Sequence, residues 1–234
     1  MKSMTTDKCC LGVFAKHWTP GKVKTRLGTS IGDQHAAEVY RLFVATTLAR
    51  LRRLTANRVV AFSPDEKEAA FRSIATDWNL QSQGSGDLGN RMARFFEAQF
   101  AAGYKRVVLL GTDSPNVPLE YIEQAFDMLS ENEAVFGPSE DGGYYLVGLS
   151  RPLSEAFQGI TWSTSEVWHM TQERLRHAGA TYLMLPSWYD VDTLADLQRL
   201  RSDLANSIET SDSALQELRE QLANFLPPNS PHYA

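Results

Sequence analysis

Four cationic side chains, Lys16, Lys22, Lys24 and Arg26, fall within eleven residues around Pro20-Gly21 in CCLGVFAKHWTPGKVKTRL at 9–27. Together they could balance the charge of a phosphate chain, and in a protein of net charge −5 they form a local exception. The glycine spacings of a P-loop and of a dinucleotide-binding turn are both missing. Side-chain cations, rather than a nest of backbone amides, would therefore have to hold phosphate; a solvated basic loop is the alternative. Carboxylates suited to a divalent cation occur twice downstream. Asp113 follows a continuously apolar run in VVLLGTDSP at 107–115, and Asp190 and Asp192 stand one residue apart in YDVDTLADL at 189–197. Mg²⁺ is typically held by one or two carboxylates plus substrate phosphates. Asp113 thus reads either as a metal ligand beneath a phosphate chain or as the Asx cap of an Asp-Ser-Pro turn. Asp190 and Asp192, at i and i+2, point to one face of an extended segment. Asp192 with Thr193 also suits the start of a helix.

Three further segments could complete a site. GSGDLGNRM at 84–92 is a Gly/Ser stretch entering a helix, with Asp87 as its N-cap and backbone donors that could face a base or a phosphate. In GPSEDGGYYLVGL at 137–149, Gly142 and Gly143 permit close backbone approach to a ligand, though Asp141-Gly142-Gly143 is equally what a plain hairpin turn needs. GITWSTSEVW at 159–168 offers Ser163 or Thr164 as a helix cap, and Trp162 either stacks on an acceptor or belongs to the core.

The elements that must position these residues follow from the apolar pattern. Strand runs at 9–15, 57–62, 106–111, 133–137 and 144–149 alternate with helical stretches near 33–54, 65–76, 88–102, 118–130 and 164–178. Asp33 is a candidate N-cap for the first helix, whose apolar stripe runs from Val39 to Leu54. Such alternation implies βαβ units and an α/β fold with a mostly parallel sheet and helices on both faces. Residues 1–205 read as one domain, and 206–234 as an amphipathic helix over 212–226 with a tail. The basic loop and Asp113 then meet at the carboxyl edge of the sheet, where open α/β sheets bind ligands.

The acidic balance argues against general affinity for nucleic acid or an anionic membrane. No apolar run approaches the roughly 20 residues needed to span a bilayer, and MKSMTTDKCC holds no apolar stretch of signal-peptide length. Cys9 and Cys10 are adjacent, lack metal-ligand spacing and read as strand residues, which points to a reducing cytoplasm. The stripe Leu215, Leu218, Leu222 and Phe225 could pack within the chain or form a homodimer contact.

Taken in order, FAK…PGKVKTRL, GDLGNRM, GTDSPNVP, EDGGYYLVGL, GITWST and YDVDT resemble, block by block, a bacterial family of nucleotide-diphospho-sugar transferases. That family is often labelled as glycosyltransferases and is better known as a domain of unknown function. The resemblance spans about residues 9–200. More distantly, the Lys-Thr-Arg-Leu loop, the Gly-Asp-Leu-Gly helix and the closing Asp-x-Asp are similar to phospholactate guanylyltransferases. One departure is Trp18, where such sequences usually carry proline; it touches the loop's shape and not its charge. The resemblance implies a glycosyltransferase A-type (nucleotide-diphospho-sugar transferase) fold, with a nucleotide half near the N-terminus and an acceptor half beyond residue 115. It places Lys24 and Arg26 on phosphates, with Lys16, Gly21, Lys22, Asp87, Leu88 and Gly89 near the nucleotide. It makes Asp113 the principal ligand of Mg²⁺ or Mn²⁺, completed by Asp190 and Asp192. Asp141, Gly142, Gly143, Trp162 and Ser163 would face the acceptor.

Two reactions fit this constellation. The favoured one is nucleotidyl transfer, in which a small phosphorylated or anionic acceptor attacks the α-phosphate of a nucleoside triphosphate and releases pyrophosphate. Lys24, Arg26 and the metal would then neutralise charge in the transition state. The other is glycosyl transfer from a nucleotide-diphospho-sugar, with Asp141 available to deprotonate an acceptor hydroxyl. A third reading, from a different class, is a non-catalytic nucleotide-binding regulator.

Overall fold

The computed structural model describes residues 9–206 and 212–225. Within them the chain runs β1 (Cys9–Lys16), α1 (Thr25–Ile31), α2 (Asp33–Leu51), β2 (Asn57–Ser63), α3 (Glu68–Ile74), β3 (Asn79–Ser82), α4 (Leu88–Ala101), β4 (Arg106–Leu110) and α5 (Leu119–Met128). It continues through β5 (Ala134–Pro138), β6 (Tyr144–Leu149), α6 (Val167–His177), β7 (Tyr182–Met184), α7 (Leu194–Asn206) and α8 (Ser213–Leu222). The seven strands form one sheet in the order β3-β2-β1-β4-β6-β5-β7. The pairs β1/β2, β1/β4, β2/β3 and β5/β7 are parallel, whereas β6 runs antiparallel to both neighbours. The sheet is therefore largely parallel, with one reversed strand.

Alternation along the central strands explains the layers. Leu11 and Val13 of β1, with Val108 and Leu110 of β4, pack on one face against Val44 and Leu48 of α2, Phe71 of α3 and Phe126 of α5. On the other face, Cys10, Val107 and Leu109 meet Met92, Phe95 and Phe96 of α4 and Leu175 of α6. Gly12 is what lets α4 come this close, since a Cβ there would lie 2.3 Å from Phe95 Cζ. A third cluster joins Leu27, Phe43, Leu197, Leu200, Leu215, Leu218 and Leu222, so α7 and α8 cover the outer side of α1 and α2. The apolar stripe of α8 is thus buried within the chain.

Several local readings change. Asp33 is the first residue of α2, and Gly32 at φ 87° occupies the cap position in front of it. The 65–76 stretch divides into a short 3₁₀ turn over Asp65–Lys67 and α3. Neither Ser163 nor Thr164 caps α6: Ser163 takes φ 64°, the Thr164 hydroxyl donates to the Thr161 carbonyl, and the helix begins at Val167. Residue 226 and the tail expected after it lie outside the described residues, as do 207–211. No helix among the described residues is long and apolar enough to cross a membrane.

Candidate active site

β2 and β3 lie on one side of β1 and β4 on the other, so the strand order changes direction between β1 and β4. A crevice opens at such a switch point, beyond the carboxyl ends of the strands. Here it is a cavity of about 560 Å³ floored by Phe14, Leu109, Leu110 and Val147. Lys16, Asp87, Leu88, Asp113 and Ser163, all expected in a site, line it, and so do Tyr40, Gln83, Arg91 and Tyr144.

The basic loop leaves β1 and turns back toward the sheet. The His17 amide donates to the Ser63 carbonyl at 2.7 Å, and the Lys22 amide to the Thr19 carbonyl at 3.0 Å, with Gly21 at φ 71° inside the turn. Trp18 stacks on His17 with ring centroids 4.8 Å apart and meets Phe71 edge-on at 5.4 Å. The residue that departs from the family pattern therefore fastens the loop to α3. Lys16, Lys22 and Arg26 are exposed, and Lys24 is not. Its backbone sits in the left-handed region at φ 45°, ψ 43°, without a side-chain cap bond, and this sends the side chain inward. Non-glycine residues persist there only where their surroundings over-determine them.

What surrounds Lys24 is a pair of carboxylates. Its ammonium donates to Asp113 Oδ1 and, at 2.9 Å, to Asp192 Oδ1. The lysine side chain is 3% exposed, while those of Asp113 and Asp192 are 47% and 38% exposed. The rings of Tyr40 and Phe43 each lie 5.8 Å from Nζ and shield it. Burial alone would lower the lysine's pKa, but the charges of Asp113 and Asp192 and their hydrogen bonds outweigh it and hold the group above its ordinary value. Two carboxylates from distant segments thus share one buried cation.

Asp190 does not join that pair. Its Oδ1 accepts from Ser114 Oγ at 2.7 Å and its Oδ2 from Ser139 Oγ at 2.6 Å. Burial and the neighbouring Asp113 charge push its pKa up to about 6, against the pull of the two serine hydrogen bonds. Ser139 Oγ also lies 2.7 Å from Asp141 Oδ1, so one hydroxyl hydrogen serves two carboxylates. Asp192 is held from the other direction. Asp196 Oδ2 accepts from the Asp192 amide, the Thr193 amide and the Thr193 hydroxyl, at 3.1, 2.8 and 2.7 Å, fixing the turn into α7. The Val191 amide donates to the Asp113 carbonyl at 2.9 Å, which fastens the 190–192 segment beside β4.

The remaining expected residues have packing positions. Asp87 caps α4 by accepting from the Asn90 amide at 2.8 Å. A Cβ on Gly89 would meet the Phe157 carbonyl at 2.6 Å and Trp162 at 2.8 Å, so Gly89 admits Trp162 against the helix. Trp162 packs edge-on to Tyr144 within the core of that face. Gly142, at φ 93°, lies under Ser165, whose carbonyl would be 2.1 Å from an added Cβ, and its own carbonyl accepts from the Trp168 amide. Gly143 donates its amide to Asp141 at 3.0 Å within the same turn. Tyr40, Gln83, Ser114 and Ser139 are additions from the structure. The Tyr40 hydroxyl accepts from the Lys16 amide at 3.1 Å and from the Thr112 hydroxyl at 2.9 Å, joining both strand ends. In the sequence Tyr40 is simply part of an apolar stripe, whereas Ser114 follows Asp113 directly, Ser139 stands two residues before Asp141 and Gln83 precedes the Gly84 segment.

No curated protein sequence matches the chain. A family of uncharacterized proteins conserved in bacteria, DUF2064, matches residues 46–164. A solved protein of Desulfovibrio desulfuricans G20, provisionally assigned as a nucleotide-diphospho-sugar transferase, is 38% identical, with 92% of this chain and 96% of that one covered at a TM-score of 0.82. The chain belongs to the DUF2064 family. The DUF2064 protein also shares its fold with a cytidylyltransferase from Leptospira borgpetersenii (16% identity, 97% and 99% of the two chains, TM-score 0.58). It does so again with the inositol-1-phosphate CTP transferase of T. maritima (13% identity, 92% and 97%, TM-score 0.55). Its architecture is a nucleotidyltransferase-like α/β fold related to the glycosyltransferase A superfamily. Together with the 38% identical relative, the likeness makes the DUF2064 protein an enzyme of the nucleotidyltransferase/glycosyltransferase-like superfamily. Among its described residues, no group of three or more His, Cys, Asp or Glu side chains is gathered to hold a metal ion.

Proposed function

We propose that this protein is a metal-dependent nucleotidyltransferase that moves a nucleoside monophosphate from a triphosphate to a small phosphorylated or anionic acceptor. One observation carries the reading: Asp113, on the wall of the switch-point crevice, and Asp192 share the Lys24 ammonium between them. Both carboxylates keep exposed surface, so the pair fits Mg²⁺ or Mn²⁺, with Asp190 held by its serines as a support behind it. A divalent cation there would supply Lewis-acid neutralisation of the phosphate chain.

The chain's own groups would do the positioning. Lys16, Lys22 and Arg26 stand exposed along the basic loop, available to a polyphosphate. The α4 entrance and Gln83 would face the base. The acceptor would enter beside Tyr144 and Ser163, in line with the bond from the α-phosphorus to the departing pyrophosphate. No general base is needed when the attacking oxygen is already an anion. The fold relatives that are cytidylyltransferases favour this reaction by analogy.

The 38% identical relative favours the second reaction, transfer of a sugar from a nucleotide-diphospho-sugar. Pyrophosphate release over a panel of nucleoside triphosphates and phosphorylated acceptors, with Mg²⁺ or Mn²⁺ and Asp113→Asn as control, separates the two. Metal-dependent pyrophosphate release, absent in the variant, is the expected result. Nucleoside diphosphate released from a sugar donor instead would make the protein a glycosyltransferase.

A further inference from the structure

Lys24 has an arrangement that phosphate binding alone does not explain. A lysine that only met phosphate would point from the loop into the crevice, as the exposed Lys16 and Lys22 are free to do. Lys24 instead adopts a left-handed backbone, buries its side chain and places its ammonium on one oxygen each of Asp113 and Asp192. Those oxygens belong to the two carboxylates that fit a divalent cation. With Lys24 in place the trio carries a charge of −1 rather than −2.

We propose that Lys24 is a built-in counter-ion that competes with the divalent cation for Asp113 and Asp192. The inference rests on the metal reading given above. Like charges at a shared site oppose one another at short range, and the buried ammonium is poorly screened by solvent. A divalent ion must therefore either displace the ammonium or sit beside it, and both weaken its binding. The free protein holds metal poorly. A polyphosphate arriving with the ion relieves the conflict, because it offers the displaced ammonium a new set of oxygens. Lys24 thereby couples metal entry to nucleotide entry. It also keeps two adjacent carboxylates from repelling each other in the empty site.

The test is Mn²⁺ alone, titrated against the full chain without nucleotide and followed by electron paramagnetic resonance of the free ion. Wild type, Lys24→Met, Lys24→Arg and Asp113→Ala are compared, with circular dichroism to confirm folding. Lys24→Met, similar in length but uncharged, is expected to bind Mn²⁺ at least about tenfold more tightly than wild type. Lys24→Arg, which keeps the charge, should stay weak, and Asp113→Ala in the Lys24→Met background should abolish the gain. Equal or weaker binding by a folded Lys24→Met, with Asp113→Ala still lowering it, would overturn the competition while leaving the metal site standing. Binding indifferent to Asp113 in every background would remove the metal site itself. Should Lys24→Met not fold, Lys24→Gln serves the same comparison, and unchanged affinity there overturns the proposal equally.

Discussion

Arg50 of α2 and Asp212, the N-cap of α8, lie 162 residues apart and form a buried ion pair at 2.8 Å. The same guanidinium donates through Nη1 to the carbonyls of Pro115 and Val117, at 2.7 and 2.8 Å. Arg50 therefore ties the final described helix to the loop that follows Asp113. Removing one partner of a buried pair leaves the other uncompensated, at a cost of about 3–5 kcal/mol. Asp212→Ala should lose roughly that much stability in urea unfolding. It should also loosen the 113–118 loop, read as faster amide exchange there. A loss below about 1 kcal/mol would show that Arg50 is satisfied by the two carbonyls alone.

Replacing Asp113 tests the chemistry directly. Asp113→Asn keeps the volume and removes the charge shared with Lys24. Turnover should fall by about 10²–10³-fold, the scale of losing one electrostatic stabiliser of a transition state. The circular dichroism spectrum should not change. Activity within a few-fold of wild type would move the chemistry elsewhere.

Asp190 gives a pH signature. Its folded-state pKa of about 6 lies above the unfolded value of 3.8, so the native protein binds more protons than the unfolded chain between those limits. Stability then falls as pH rises through that window, and the penalty is complete above about pH 6. At about 1.36 kcal/mol per pKa unit the upper bound is roughly 3 kcal/mol. In metal-free buffer, Asp190→Asn should flatten the pH dependence of unfolding between pH 4 and 6 and raise stability at pH 7.5. The hydroxyls of Ser114 and Ser139 can rotate to accept from the new amide. An unchanged slope in the variant would place the titration on another group.

Gly142 tests the turn beside Asp141. A methyl there would meet the Ser165 carbonyl at 2.1 Å in a backbone with φ 93°, so the Gly142→Ala substitution is both strained and crowded. A loss of roughly 1–3 kcal/mol is expected, with a melting temperature lower by about 2–4 °C for each kcal/mol. Gly143→Ala in the same turn has no positive φ, and its added Cβ meets only Asp141 Oδ1, at 3.3 Å. It should be the milder change. Equal melting temperatures for the two variants would contradict the close approach.

The central strands were legible because burial on both faces demands continuous apolar runs, as in VVLL at 107–110, and the long helices because their apolar stripes repeat. α1 escaped notice because it is seven residues long with Gly28 inside it. β3, with the polar sequence NLQS, and the exposed β7 lie at the sheet's edges, where little burial shapes the sequence. Asp113, Asp190 and Asp192 stand out in the sequence as candidate carboxylates, of which Asp113 and Asp192 share the Lys24 ammonium. Which of them meet Lys24 could not be picked out there, since that depends on a left-handed backbone at Lys24 and on serines that draw Asp190 away. Tyr40 is hidden in an apolar stripe and Gln83 in the polar stretch before Gly84, and only their hydrogen bonds set them apart.

β6 is the one strand laid down in reverse, so its first residue, Tyr144, arrives at the same rim where β1 and β4 finish. The crevice is walled on one side by strand endings and on the other by a strand beginning. The turn that delivers Tyr144 is packed on both sides, since Ser139 is buried and holds Asp190 while Gly142 lies under Ser165. Changing the length of the turn between Pro138 and Tyr144 would thus move Ser139 and Gly142 with it, so the rim that Tyr144 forms, the support of Asp190 and the seat of α6 can only be remodelled together.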